Sequence, residues 1–154
     1  MQAIYFDLDG TLADLYGVAA WCERLNAEDV TPYEEAQPLV SPGQMRRVLL
    51  PLASAGVTLG VISWGAMNAS NAYNRATRKA KLEWCKRYLP GCFTEFHVVK
   101  YGTPKHHVRR IADSILVDDS AEVRNAWDGR TIDASNTAQM MIELQKLVDT
   151  LARI

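Results

Sequence analysis

Short apolar runs of strand character alternate with longer segments of helical character along the chain, and that alternation limits the fold more than any other feature. Ala3-Ile-Tyr-Phe6 is followed at once by Asp7, and Val57-Thr-Leu-Gly-Val-Ile62 is introduced by Gly56 and closed by Ser63. Phe96-His-Val-Val99 and Ser114-Ile-Leu-Val117 follow, the latter again ending in acid, and Arg130-Thr-Ile132 is a weaker fifth run. Helical patterns fill the intervals at 14–26, 42–55, 70–89, 104–113, 120–127 and 137–152. Ser41-Pro42 and Thr103-Pro104 each combine a capping residue with a first-turn proline, and Asn136 with Gln139 resembles a capping box. Met140, Leu144, Leu147 and Leu151 give the last helix one apolar face. Strands this short and apolar are buried on both faces, so the pattern predicts a doubly wound α/β sandwich with a parallel, Rossmann-like sheet.

A chain of 154 residues suits one such domain over 1–154. The stretch 27–41, with Glu28, Asp29, Glu34 and Glu35 among its prolines, reads as an acidic surface loop or small lid. Hydrophobic residues at 48% and charged residues at 23% exclude disorder. Seventeen basic against eighteen acidic residues, a net charge of −1, exclude a global preference for nucleic acid or acidic membranes. No apolar run approaches the roughly 20 residues of a membrane span, and the opening residues lack the pattern of a leader. Cys22, Cys85 and Cys92 form no CxxC pair and read as reduced thiols, with Cys22 in the core. A cytoplasmic protein is expected.

The chemistry gathers where the strands end. Ligands bind outside the carboxyl ends of the strands in open parallel sheets, and Asp7, Ser63 and Asp118 stand at three such ends. Along extended backbone Asp7 and Asp9 project to one side before Gly10-Thr11 turns the chain away. Joined by Asp118 and Asp119, they make a site for a hard divalent cation, Mg²⁺ before others. Asp and Gly after a strand are also ordinary turn residues, but here that explanation is needed twice.

Asp7-Leu-Asp9-Gly10-Thr11 resembles the first motif of the haloacid dehalogenase superfamily, mostly Mg²⁺-dependent phosphohydrolases with a Rossmann-like core. Ser63, in Val61-Ile-Ser-Trp-Gly65, resembles the second motif, and Asp118-Asp119 after Ile115-Leu-Val117 the fourth. The third is a lysine near a helix start, which Lys105 fits best and Lys100 contests. The resemblance implies that Asp7 is the nucleophile and Asp9 the general acid and base. It implies that Ser63, Thr11 and the backbone of Gly10, Trp64 and Gly65 hold phosphate oxygens, and that Lys105 supplies a fixed positive charge. Asp118 completes a metal shell with Asp7, Asp119 and the carbonyl of Asp9. Retention of Asp9 favours phosphate esters over halides, because a halide needs no proton to leave. Glu122 reads either as the acid reaching a metal-bound water or as a first-turn acid favoured by the helix dipole.

The intervals from Asp9 to Ser63 and from Ser63 to Lys105 leave little chain for a cap, which predicts an open site. Arg75, Lys79 and Lys86 fall on one wedge of the helix at 70–89, while Tyr73, Ala80, Trp84 and Tyr88 form another stripe. That wedge reads as a solvated face or as a track for a phosphodiester backbone. Together with Val117–Trp127 it is loosely similar to phage-type polynucleotide 3′-phosphatase domains, which implies a nucleotide or nucleic-acid end as the phosphorylated substrate. A non-catalytic phosphate-binding or regulatory protein and a phosphotransferase are the rival readings. His97 reads as a core or rim residue, and His106-His107 as neighbours of the phosphate site.

Overall fold

The computed structural model describes residues 1–154. Seven strands form, β1 (Ala3–Phe6), β2 (Ala13–Asp14), β3 (Gln37–Pro38), β4 (Thr58–Trp64), β5 (Glu95–Val99), β6 (Ser114–Asp118) and β7 (Thr131–Asp133). They are interleaved with helices α1 (Trp21–Asn26), α2 (Thr31–Glu35), α3 (Pro42–Ser54), α4 (Asn71–Tyr88), α5 (Lys105–Val108), α6 (Ala121–Ala126) and α7 (Thr137–Leu151). Five strands build one parallel sheet in the order β5-β4-β1-β6-β7, with helices on both faces, which is the doubly wound α/β arrangement expected. No helix is long and apolar enough to cross a membrane.

Alternation along the strands divides the interior. Ile4, Phe6, Leu59, Val61, Ile115 and Val117 face a core of 25 buried residues shared with α3, α7 and the C-terminal half of α4. Ala3, Tyr5, Ile62 and Leu116 face a smaller core with Trp127, beneath α5 and α6. A third cluster, Leu15, Tyr33, Tyr73 and Ala80 with Trp21 and Leu25 packed on it, lies apart from both and joins residues 15–33 to the start of α4.

Four expectations change. The helix at 14–26 is broken, because Asp14 pairs with Gln37 in a two-stranded ribbon and its carboxylate accepts the Gly17 amide, so α1 begins only at Trp21. The loop at 27–41 contains α2, held at its start by Asp29, whose carboxylate accepts the Thr31 amide at 2.9 Å. Glu28 is fastened too, accepting the Ser70 amide and hydroxyl at 2.8 and 2.6 Å. The helix at 104–113 stops at Val108, since the Arg110 and Ile111 amides donate to the buried Tyr5 hydroxyl instead of to helical carbonyls. Cys22 is exposed rather than in the core, because six-residue α1 buries no side chain.

Candidate active site

Register sets the carboxyl ends of three strands level. Phe6 pairs with Val61 on one side and Val117 on the other, so Asp7 and Asp118 emerge level at one edge, with Ser63 one residue further along β4. The Asp7 amide donates to the Val117 carbonyl at 2.9 Å, extending the ladder by one residue. The chain must then leave the sheet without colliding with the β6 end. Gly10 achieves this at φ +80, where a Cβ would sit 2.4 Å from Asp119 Oδ2 and 2.7 Å from the Tyr16 ring.

Two buried lysines divide the carboxylates. Lys105 Nζ donates to Asp7 Oδ1 at 2.8 Å and to Asp118 Oδ2 at 2.7 Å. The hydroxyl of fully buried Thr11 lies 3.3 Å from both Asp7 Oδ2 and Asp119 Oδ1, tying the third carboxylate into the group. Lys81, on α4 and 1% exposed, donates to Asp9 Oδ2 at 2.7 Å, Ser63 Oγ at 2.8 Å and the Trp64 carbonyl at 2.6 Å. Three acceptors match the three donors of an ammonium, and its charge also lies 4.8 Å from the Tyr33 ring centroid.

Asp7, Asp118 and Asp119 each offer a carboxylate oxygen, and these atoms all lie within 4.8 Å of one another. Three carboxylates gather there, and the one ammonium bonds two of them. Burial, then the charge of Asp7, pushes Asp118 up to about 6 and Asp119 up to about 7. Burial works against the charge of Lys105, but Asp7 and Asp118 outweigh it and hold the ammonium above its ordinary range. An all-oxygen, electron-rich set of this kind fits a hard divalent cation. The Asp9 carboxylate stands outside that group with Lys81. Burial raises its pKa in spite of the lysine, with Asp7 adding to the rise.

The remaining expected residues are placed as follows. The Gly10 and Gly65 amides, expected to face phosphate, instead donate to the Ala13 and Val99 carbonyls at 2.8 and 2.7 Å. The Trp64 indole donates to the Thr103 carbonyl at 2.7 Å, and its ring leans on Tyr101. Lys100 lies with Arg75 and Arg78 in a separate groove between α4 and β5, away from the carboxylates. Glu122 is exposed in the first turn of α6. His97 bonds Glu95 within β5, and His106 packs edge-on against His107.

Lys81 was not expected at the site, since it lies in a helix rich in basic residues. The available signal was its place on the buried stripe, four residues after Thr77 and four before Cys85. Residues 15–33, with 64–67 and Tyr101, wall a cleft of about 430 Å³ beside Asp9. The cover comes mainly from the segment read as the first helix, and the stretch at 27–41, read as a loop or small lid, adds Tyr33 to it.

No family model matches the sequence, and no curated protein is significantly similar to it. Among solved structures it is similar to the D,D-heptose 1,7-bisphosphate phosphatase of Burkholderia thailandensis, at 15% identity over 96% of this chain and 99% of that one, with a TM-score of 0.48. At that distance the likeness assigns no activity to this chain.

Proposed function

We propose that the chain is a phosphomonoester hydrolase of the haloacid dehalogenase type, working through a phosphorylated Asp7 with Mg²⁺ as its cofactor. The observation that carries this reading is the clustering of Asp7, Asp118 and Asp119 at the carboxyl edge of the sheet, with one buried lysine bonded to the first two. Such a cluster destabilises itself unless positive charge is brought to it. A phosphoryl group and a divalent cation are the pair of partners that it suits.

Asp7, Asp118 and Asp119 would hold the cation, which, when bound, supplies the charge that lets a carboxylate approach a phosphate dianion. Lys105 holds Asp7 through Oδ1, fixing the nucleophile's direction and offsetting negative charge beside it. Asp7 attacks phosphorus, the bond from phosphorus to the leaving oxygen breaks, and that oxygen takes the proton of Asp9. Asp9 is suited to carry the proton because its burial favours the neutral acid. Water then attacks phosphorus, gives its proton back to Asp9, and releases Asp7 and inorganic phosphate.

Lys81 is a positioning residue in this scheme. It holds Asp9 through Oδ2 and ties it to Ser63 at the end of β4, while Asp9 also lines the cleft where a leaving group would sit. Burying Lys81 without these partners would cost several kcal/mol, on the order expected for an unpaired interior charge.

The test is phosphate release from a phosphomonoester in the presence of Mg²⁺, repeated with EDTA and with Asp7→Asn. Release that depends on Mg²⁺ and is lost in Asp7→Asn is expected. Full activity of Asp7→Asn, or no release from any ester by the wild type, would overturn the reading.

A further inference from the structure

The cleft beside Asp9 has a chemical character of its own. Asp9 is the one carboxyl on its wall, and no lysine or arginine lines it; the nearest ammonium, that of Lys81, is buried behind Asp9 and Tyr33. Two pairs of aromatic rings form its sides: Tyr16 with Trp21, centroids 4.9 Å apart at 67°, and Trp64 with Tyr101, 5.0 Å apart at 58°. Met67 adds a flexible apolar surface. Seven large apolar side chains are exposed on the chain, and three of them, Tyr16, Met67 and Tyr101, lie at this cleft. Such clustering marks a binding surface rather than the scattered exposure of an ordinary one.

Resting on the reading of Asp7 and Asp9 as a phosphomonoesterase site, we propose that this cleft seats the leaving alcohol and selects one that carries an uncharged, flat aromatic group. Its volume of about 430 Å³ lies within the range of small-molecule sites, about 300–1,000 Å³. A second phosphate or a carboxylate on the leaving group would find no cation on this wall to pair with, so a doubly charged substrate is disfavoured. The groove of Arg75, Arg78 and Lys100 is lined by other residues and cannot supply that charge. Rings set at steep angles to one another present both faces and edges, which suits stacking on a flat π-system better than packing of a bulky saturated ring. The wall is also tied to the catalytic turn. The Tyr16 ring fills the space that a Cβ on Gly10 would need, so the aromatic side is held next to Asp9.

An arylalkyl alcohol and a nucleoside both carry such a group, and four phosphate esters of primary alcohols separate them. Benzyl phosphate is compared with cyclohexylmethyl phosphate, and adenosine 5′-monophosphate with ribose 5-phosphate, by kcat/KM on the full chain with Mg²⁺. The leaving oxygen is of one kind throughout, so the comparison reads the cleft. At least one aromatic ester should exceed its partner by about tenfold, mainly through KM, and the pair that shows the gain identifies the kind of ring. Trp21→Leu and, independently, Tyr101→Leu should shrink that ratio several-fold. Equal kcat/KM within both pairs, or a ratio that neither variant moves, would overturn the proposal. If no ester is hydrolysed, the hydrolase reading fails and the cleft is judged separately. Saturable quenching of tryptophan fluorescence by adenosine or benzyl alcohol, weakened in Trp21→Leu, would then support it, and no saturable quenching would overturn it.

Discussion

Lys105 and Lys81 are both buried and both bonded to carboxylates at the end of the sheet, yet they stand in different surroundings. Lys105 faces a group of three aspartates that one ammonium cannot neutralise. Lys81 has one carboxylate, one hydroxyl and one carbonyl, a set that satisfies it. The first half of the site is therefore built to receive further positive charge, and the second is complete as it stands. Two aspartates only two residues apart therefore hold separate roles: Asp7 belongs to the electron-rich group, and Asp9 to the satisfied one.

The largest effects should come from breaking the two aspartates separately. Asp7→Asn should lower steady-state turnover by a thousandfold or more, on the order seen when a nucleophile is removed. Asp9→Asn should also lose turnover, by about 10²- to 10⁴-fold. With p-nitrophenyl phosphate, whose leaving group needs no proton, Asp9→Asn should still give a burst of one equivalent of p-nitrophenolate. Asp7→Asn should give none. Stopped-flow absorbance distinguishes the two.

Replacing each lysine by methionine sharpens the contrast. Either change strips partners from buried polar groups, and breaking a buried pair costs about 3–5 kcal/mol. Lys105→Met should recover much of its loss in Tm when Mg²⁺ is added, since its carboxylates are those that can take a cation. Lys81→Met should gain no more from Mg²⁺ than the wild type does. Thermal unfolding with and without the ion reads both.

A smaller effect follows from protonation. Asp118 at about 6 and Asp119 at about 7 bind protons more tightly in the folded chain than an aspartate does when unfolded. Their contribution therefore favours the fold at low pH and is lost as pH rises through about 6 to about 7. In EDTA the Tm should fall by a few degrees between pH 5 and pH 8, and Mg²⁺ should remove most of that fall. The smallest effect is expected on the outer face of α4. Lys79→Ala and Lys86→Ala, both exposed, should leave kcat/KM for a small ester within about twofold.

Much of this architecture was legible in the sequence, for definite reasons. The strands at 3–6 and 114–118 are continuous apolar runs because both faces of the sheet are covered, and their ends mark the site. Ser41 and Asn136 accept the Gln44 and Gln139 amides, so the starts of α3 and α7 were readable from local chemistry. Long-range contacts were not. Nothing near Arg110 shows that its amide is claimed by Tyr5, 105 residues earlier, and the length of α5 depends on that bond. Lys81 stood in a run rich in basic residues, and its burial is set by Asp9, 72 residues away. The cover was legible only in outline, as a loop or small lid at 27–41. It has no long element of its own, only short α1 and α2 closed over Leu15, Tyr33 and Tyr73.

Covalent labelling reads directly whether Asp7 becomes phosphorylated. The Asp9→Asn variant, which lacks the base for the second step, is mixed with ³²P-labelled p-nitrophenyl phosphate and Mg²⁺, quenched in acid, and its labelled peptide mapped. One equivalent of base-labile phosphate is expected on Asp7, absent when Asp7 is also changed to Asn. A burst of p-nitrophenolate with no label on Asp7 would contradict it.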